Sequence, residues 1–218
     1  LYLGGGVILS DASEIVREFV KTTQIPAVET LMALGALRDD DPCNLKMVGM
    51  HGSYVANMAM SEADLIIALG ARFDDRVTGK LSEFAKFAKI VHVDIDPSSI
   101  SKIVDADYPV VGDIKCVLEE LLPRVKKDVD PSNFAQWRDT LKKYDELHPL
   151  CFKDSDEILK PQWVIRETAK ILADDDAIIA TDVGQHQMWV AQFYPFNKPR
   201  TFLTSGGLGT MGYGLPAA

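Results

Sequence analysis

Cysteine is scarce in this chain. Cys43, Cys116 and Cys151 are the only three in 218 residues. They are odd in number and far apart, which excludes a disulfide framework and offers no paired spacing for zinc. Such usage fits a reducing compartment. Long apolar runs are also missing, as is a signal-peptide pattern, so neither a bilayer span nor secretion is expected. Basic residues are outnumbered, 23 Lys and Arg against 32 Asp and Glu, for a net charge of −9. A nucleic-acid backbone needs clustered Lys and Arg and is therefore not an expected partner. There is no internal repeat and no low-complexity tract. The common phosphate motifs are incomplete: "GGGVILS" has no third glycine of the dinucleotide fingerprint, and "TGK" at 78–80 lacks the rest of a phosphate loop.

What the chain does have is ordinary globular composition, 47% hydrophobic and 25% charged, at a length suited to one large or two modest domains. From residue 1 to about 125, apolar runs alternate with helical periods, the pattern of a doubly wound, Rossmann-like α/β parallel sheet. Strands are expected at Leu1–Leu3, Ile25–Val28, Met47–Met50, Leu65–Leu69, Ile90–Asp94 and Tyr108–Val111. Asp11 and Glu14 stand at N-cap and N3 spacing before Ile15, Val16, Phe19 and Val20, which predicts a helix. A short helix is expected over Leu31–Leu37, and an Ala- and Met-rich one ("VANMAM") packs into the core. Ile114, Val117, Leu118 and Leu121 stripe a closing helix that Pro123 should end. Residues 126–160 then read as a linker and a connecting helix faced by Phe134, Trp137, Leu141 and Tyr144. A second α/β unit starts at Pro161, continues through a strand at Ala177–Thr181, and is incomplete by residue 218. The chain opens on "LYLGGG" and stops on "MGYGLPAA", so both ends are expected to cut through elements, and a fragment of a longer protein is expected.

Ligands of open parallel sheets lie beyond the carboxyl ends of the strands. Those ends carry Gly4, Gly5 and Gly6; Met50, His51 and Gly52; Gly70 with Ala71, Arg72, Asp74, Asp75 and Arg76; Asp94, Ile95 and Asp96; and Gly112 with Asp113. Glycine admits a ligand close to the backbone, carboxylates accept from ribose hydroxyls, and Arg offers phosphate a rigid fork. Spacing alone leaves two readings open, a nucleotide-type cofactor and plain turn glycines. Individual residues have bland readings too. His92 in "IVHVD" is expected to be a sheet histidine, Asp94 and Asp96 could cap a helix near Pro97, "ADDDA" reads as a solvated turn, and Met211 is a core residue by default.

The stretch "GARFDDRVTGK", preceded by "GMHG" and followed by "VDIDPSSI", closely resembles the middle domain of the acetolactate synthase (acetohydroxyacid synthase) catalytic subunits. "TDVGQHQMW" and "SGGLGTMGYGLPAA" resemble the start of their thiamine-diphosphate domain. The resemblance implies FAD held by the five strand-end groups above. It implies Arg72 as a cofactor contact, neighbouring Asp residues as orienters of the Arg side chains, and Arg76 as the holder of the second 2-oxoacid's carboxylate. It implies Val183, Gly184, Gln185 and His186 at the thiamine diphosphate, with Gly209 and Met211 at its aminopyrimidine. The implied activity is decarboxylation of pyruvate and carboligation to pyruvate or 2-oxobutyrate, the first common step of branched-chain amino-acid biosynthesis. The implied assembly is a homodimer or homotetramer of catalytic subunits with a possible small regulatory subunit. The compartment would be the cytoplasm, or a plastid or mitochondrion in a eukaryote. No metal ligand is expected here: the Mg2+ loop and the activating glutamate of the family fall outside this sequence, so the fragment alone should be inactive. Rival readings are another thiamine-dependent carboligase or decarboxylase, and a non-catalytic nucleotide-binding module.

Overall fold

The computed structural model describes residues 1–218. Short segments assemble into one six-stranded, all-parallel sheet in which each strand is joined to the next by a crossover. The inner strands are largely buried on both faces, whereas the edge strand after Asp107 stays mostly exposed. The strands are β1 (Tyr2–Leu3), β2 (Ala27–Glu29), β3 (Asn44–Met47), β4 (Leu65–Leu69), β5 (Lys89–Asp94) and β6 (Tyr108–Val111), in the order β3-β2-β1-β4-β5-β6. Tyr2 pairs with Val28 on one side and Ala68 on the other, so β1 and β4 are where the winding reverses. A crevice opens at that reversal, outside the carboxyl ends of the strands.

One face of the sheet is covered by α1 (Gly5–Leu9), α2 (Ser13–Thr23) and α5 (Ile114–Asp128), which bury Val7, Val16, Phe19, Leu118 and Leu122. The other is covered by α3 (Tyr54–Glu62) and α6 (Ala135–Leu147), which bury Val55, Ala56, Ala59 and Leu141 against Tyr2, Ile66 and Phe73. Each fully buried side chain of this kind contributes about 1.5–3 kcal/mol. The connecting helix α6 is thus part of the first unit, and the Met-rich helix packs as core.

Several expected boundaries move. Asp11 does not cap α2: its φ is +54°, and Ala12 stands at the N-cap. Residues Leu31–Ala33 form only a single 3₁₀ turn, because the chain must bend at Gly35 (φ +89°). The third strand precedes Val48, so Met50 belongs to the loop and not to the strand. Gly5 and Gly6 are the first turn of α1, not a loop. Pro123 lies inside α5, which runs on to Asp128. The carbonyl that Pro123 leaves unpaired is that of exposed Glu119, open to water, while buried Leu122 and Val125 hold the helix down on both sides. No helix forms after Pro97; Asp94 and Asp96 close turns instead.

The second unit is slighter. It contains α7 (Pro161–Ile171), α8 (Gln185–Phe193) and a parallel pair, β7 (Ile179–Ala180) with β8 (Phe202–Leu203). Strand β7 is shorter than the expected Ala177–Thr181, and α7 buries none of its residues. Val190, Ala191 and Phe196 form a small cluster with Leu34 and Met47 of the first unit. Arg17 fastens the units together, donating to the carbonyls of Gly35, Ala36 and Asn197. No helix is long and apolar enough to cross a membrane.

Candidate functional site

A cleft of about 950 Å³ runs along the carboxyl ends of the sheet and is closed on its far side by loops of the second unit. That volume is at the upper end of the roughly 300–1,000 Å³ range of small-molecule sites.

The floor is built by two turns that touch. Gly4 N–H donates to the Leu69 carbonyl (2.9 Å) and Gly6 N–H to the Gly70 carbonyl (3.1 Å). A Cβ on Gly4 would stand 2.1 Å from the Gly70 oxygen, and one on Gly70, at φ +59°, 2.6 Å from the Gly6 Cα. These positions are glycine because the β1 and β4 turns press on one another. Gly70 was expected to admit a ligand; the first thing it admits is Gly6.

After Gly70 the chain alternates. Ala71 and Phe73 are buried, while Arg72, Asp74, Asp75 and Arg76 stay outside. Phe73 packs against Tyr2 and stands edge-on to His92. His92 Nε2–H donates to the Ala71 carbonyl (3.0 Å), fixing the peptide that launches Arg72. Burial lowers the His92 pKa, so its ring is neutral; Nδ1 has no partner. His92 is therefore a sheet histidine, half satisfied, that supports the site from behind.

The charged cluster is arranged otherwise than expected. Asp74 orients no Arg side chain: it caps α4 (Asp75–Thr78), accepting the Arg76 N–H at 3.1 Å. Arg76 Nε reaches only Asp75, at 3.9 Å, in an exposed pair of the sort worth little. Arg72 makes no hydrogen bond or ion pair, and both Arg residues line the cleft. The cluster at the end of β4 is thus two cations left unspent beside two carboxylates, one of them used as a cap.

At the far end, Asp94 accepts the Asp96 N–H (2.9 Å), and Asp96 accepts from the Ser98 N–H and hydroxyl. Those bonds to Ser98 hold the Asp96 carboxyl below the usual range. Asp113 caps α5 through the N–H groups of Lys115 and Cys116. Asp94, Ile95, Asp96 and Asp113 all line the cleft; Gly112 does not. Met50 and His51 line it too, whereas Gly52 turns away, folded against the Met47 carbonyl. The His51 carbonyl accepts from Gln192 Nε2 of α8 (2.8 Å), which ties this loop to the second unit.

From the second unit, Val183, Gly184, Gln185 and Gly209 face the same cleft. His186 and Met211 are off it, and Met211 is 80% exposed rather than core. Two residues there escaped sequence reasoning. Asp182 accepts from the N–H groups of Val183 (2.7 Å) and Gly212 (2.9 Å), bonds that lower its pKa and pin the loop carrying Gly209 and Met211. Gln187, buried at the cleft wall, donates to the Thr204 hydroxyl (2.6 Å), which pairs with Thr181. The second glutamine of "GQHQ" was the available signal: helical turn spacing sends His186 outward and its neighbours in. The residues present suit a long, jointed ligand with acidic groups, since unpaired Arg72, loosely paired Arg76 and the open backbone of Gly207 and Gly209 lie along one groove.

Comparison with known proteins agrees with that geometry. Residues 1–121 match the family model for the thiamine pyrophosphate enzyme central domain, and residues 182–218 match that for the C-terminal TPP binding domain. The chain belongs to the thiamine pyrophosphate enzyme family. Among curated relatives, the acetolactate synthase large subunit of Buchnera aphidicola (subsp. Acyrthosiphon pisum) is 47% identical over 218 residues, all of this chain and 38% of the relative. An acetolactate synthase of Mycobacterium bovis is 49% identical over all of this chain and 36% of its own length. The chloroplastic acetolactate synthase 1 of Zea mays is 47% identical, with 34% of its length covered. The chain thus spans little more than a third of the relatives it matches.

Proposed function

We propose that this chain is the cofactor-holding middle of an acetolactate synthase catalytic subunit, joining pyruvate to a second 2-oxoacid. The observation that carries the reading is the single cleft shared by the "FDDRVTGK" segment and the "VGQ" and "SGG" loops. FAD in extended form fits its first-unit side, with the Gly4–Gly6 turn and Arg72 near the middle and Asp94, Asp96 and Asp113 at one end. Thiamine diphosphate fits the second-unit side, where a Cβ on Gly209 would meet nothing nearer than Val183 Cγ1 at 4.0 Å. Mg2+ would accompany the diphosphate of thiamine, as the family resemblance implies.

When bound, thiamine diphosphate supplies the electron sink for loss of carbon dioxide; the protein supplies binding, orientation and electrostatics. Val183, Gly184 and Gln185 would hold its diphosphate, Gln185 donating without adding a fixed charge. Arg76 would grip the acceptor's carboxylate with two parallel hydrogen bonds and so aim its carbonyl. Residues 1–125 and 161–218 would act as separate cofactor modules joined by 126–160, in a homodimer or homotetramer that a small regulatory subunit could attend. The compartment would be the cytoplasm or, in a eukaryote, an organelle.

A different thiamine-dependent decarboxylase would keep the second-unit loops but has no use for an acceptor-holding Arg76. A nucleotide-binding module without catalysis leaves the loops at 183–189 and 205–214 unexplained. The test is to purify the full-length parent, measure bound FAD, and supply thiamine diphosphate, Mg2+ and pyruvate. Acetolactate with release of carbon dioxide is expected; acetaldehyde as sole product, or no thiamine-dependent turnover, would overturn the assignment.

A further inference from the structure

One polar side chain on the inner side of α3 takes no part in lining the cleft. Val55, Ala56, Ala59 and Met60 bury the apolar face of that helix. Asn57, between them, spends its carboxamide on a single residue of the neighbouring loop. Gly49 N–H donates to Asn57 Oδ1 (2.9 Å), and Asn57 Nδ2 donates to the Gly49 carbonyl (3.0 Å). One side chain thereby meets both backbone groups of Gly49; the carbonyl also accepts the Gly52 N–H (2.9 Å), whereas the Gly49 N–H has Asn57 alone.

Gly49 is held in a conformation only glycine takes easily, φ +108°, and a Cβ there would come within 2.7 Å of the Arg76 carbonyl oxygen. One residue on, Met50 N–H donates to that same oxygen at 2.7 Å. Asn57, Gly49, Met50 and Arg76 thus form an unbroken chain of contacts from the buried face of a helix to an exposed cation of the cleft. Arg76 has little other support: its N–H donates to the Asp74 cap, its helix has four residues, and its side chain, 73% exposed, has only the long contact to Asp75.

We propose that Asn57 is a positioning residue, setting the height and direction of Arg76 by clamping Gly49. The consequence for catalysis, accurate placement of the acceptor's carboxylate, rests on the function proposed above; the mechanical link does not. The amide is specific for the task. Aspartate keeps the accepting oxygen but loses the donor and adds charge, and leucine keeps the shape but loses both bonds.

The experiment compares wild type, Asn57→Asp, Asn57→Leu and Ser53→Ala in the full-length parent. Ser53 Oγ caps α3 by accepting the Ala56 N–H and donates to the Leu45 carbonyl of β3 (2.7 Å), so its loss loosens the same helix while removing neither Asn57–Gly49 bond. Amide hydrogen exchange is read at Met50 and at Val77–Gly79, and pyruvate and 2-oxobutyrate compete as acceptors. Both Asn57 variants should exchange roughly tenfold faster at Met50 and Val77–Gly79, the scale of one or two lost hydrogen bonds. They should raise KM for the acceptor more than they lower kcat, and shift the acceptor ratio. Ser53→Ala should lose melting temperature with neither effect. Unchanged exchange at Met50 in Asn57→Asp, or the same pattern in Ser53→Ala, would overturn the proposal. A wild type that makes no acetolactate would sink the functional reading while the exchange data still decide the link to Arg76.

Discussion

The two sides of the cleft are built on opposite terms. On the first-unit side the glycines are jammed: Gly4, Gly6 and Gly70 press backbone on backbone, with no room for a Cβ. On the second-unit side two cleft glycines are open, Gly207 with nothing within 4 Å and Gly209 with only a distant Val183, while Gly206 meets no backbone but only the flexible side chains of Met32 and Leu31. The first side is therefore rigid before any ligand arrives, and its glycines answer to packing. The second keeps its space for something outside itself, and its exposed Leu208, Met211 and Leu215 say the same. A glycine at a strand end is thus no evidence of a ligand until its neighbours are known.

The sharpest way to break this contrast is alanine. Gly70→Ala combines an unfavourable φ, about 1–2 kcal/mol, with a backbone clash of the kind that costs about 1–3 kcal/mol more. The first unit should lose several kcal/mol or fail to fold, seen as loss of the thermal transition. Gly207→Ala has open space and no positive φ, and stability should stay within about 0.5 kcal/mol. Equal effects at the two sites would show the sides to be alike.

The buried polar groups differ in the same way. The second unit buries hydroxyls and an amide that do not titrate, Thr181, Thr204 and Gln187. The first unit buries a carboxyl. Glu29, 2% exposed at the end of β2, accepts from Leu37 N–H and Asn44 Nδ2, with Lys46 and Asp39 nearby. Burial, only partly offset by those bonds, raises its pKa to about 7. The folded state then holds a proton the unfolded state releases above its ordinary glutamate value of 4.5. Stability from this group is full below that value and is lost as pH rises toward 7. The loss amounts to about 3 kcal/mol at most. Glu29→Gln should flatten the fall in melting temperature between those pH values, whatever it does to the absolute level. An unchanged slope would mean that Glu29 is ionised throughout.

Much of this was legible in the chain, for identifiable reasons. The inner strands announced themselves because a parallel sheet buries both their faces, so they read as apolar runs, whereas the edge strand Asn44–Met47 carries polar residues and was placed three residues late. The carboxyl ends then follow from chain direction. Cleft residues on those ends, such as Arg72 and Asp94, could be named without coordinates, whereas Val183 came from the family resemblance. The misses were of two kinds. Local rules were overridden by packing: Pro123 sits in mid-helix because Leu122 and Val125 anchor it, and Asp11 loses its cap to a left-handed turn. Supporting contacts were invisible because they join distant segments. Asn57 to Gly49, His92 to Ala71 and Asp182 to Gly212 leave no spacing in the sequence.

Arg76 is where the two sides should meet in function, and Arg76→Lys sharpens the comparison with the least disturbance. The variant keeps the charge and the exposed position, and the backbone link from Met50 to the Arg76 carbonyl involves no side-chain atom. What it loses is the planar fork. A guanidinium presents two parallel donors to a carboxylate, whereas an ammonium is a compact point charge. Loss of one charge-assisted hydrogen bond corresponds to about 1.5–3 kcal/mol, or roughly tenfold to a hundredfold in the step that uses the acceptor. FAD content should hold, because the remaining first-unit contacts do not pass through this side chain. Release of carbon dioxide from the first pyruvate should suffer less than product formation, since the acceptor has no part in it. Wild-type rates and an unchanged preference between pyruvate and 2-oxobutyrate would reduce Arg76 to the surface pair with Asp75. Loss of FAD with that preference intact would move it wholly to the first-unit side of the cleft.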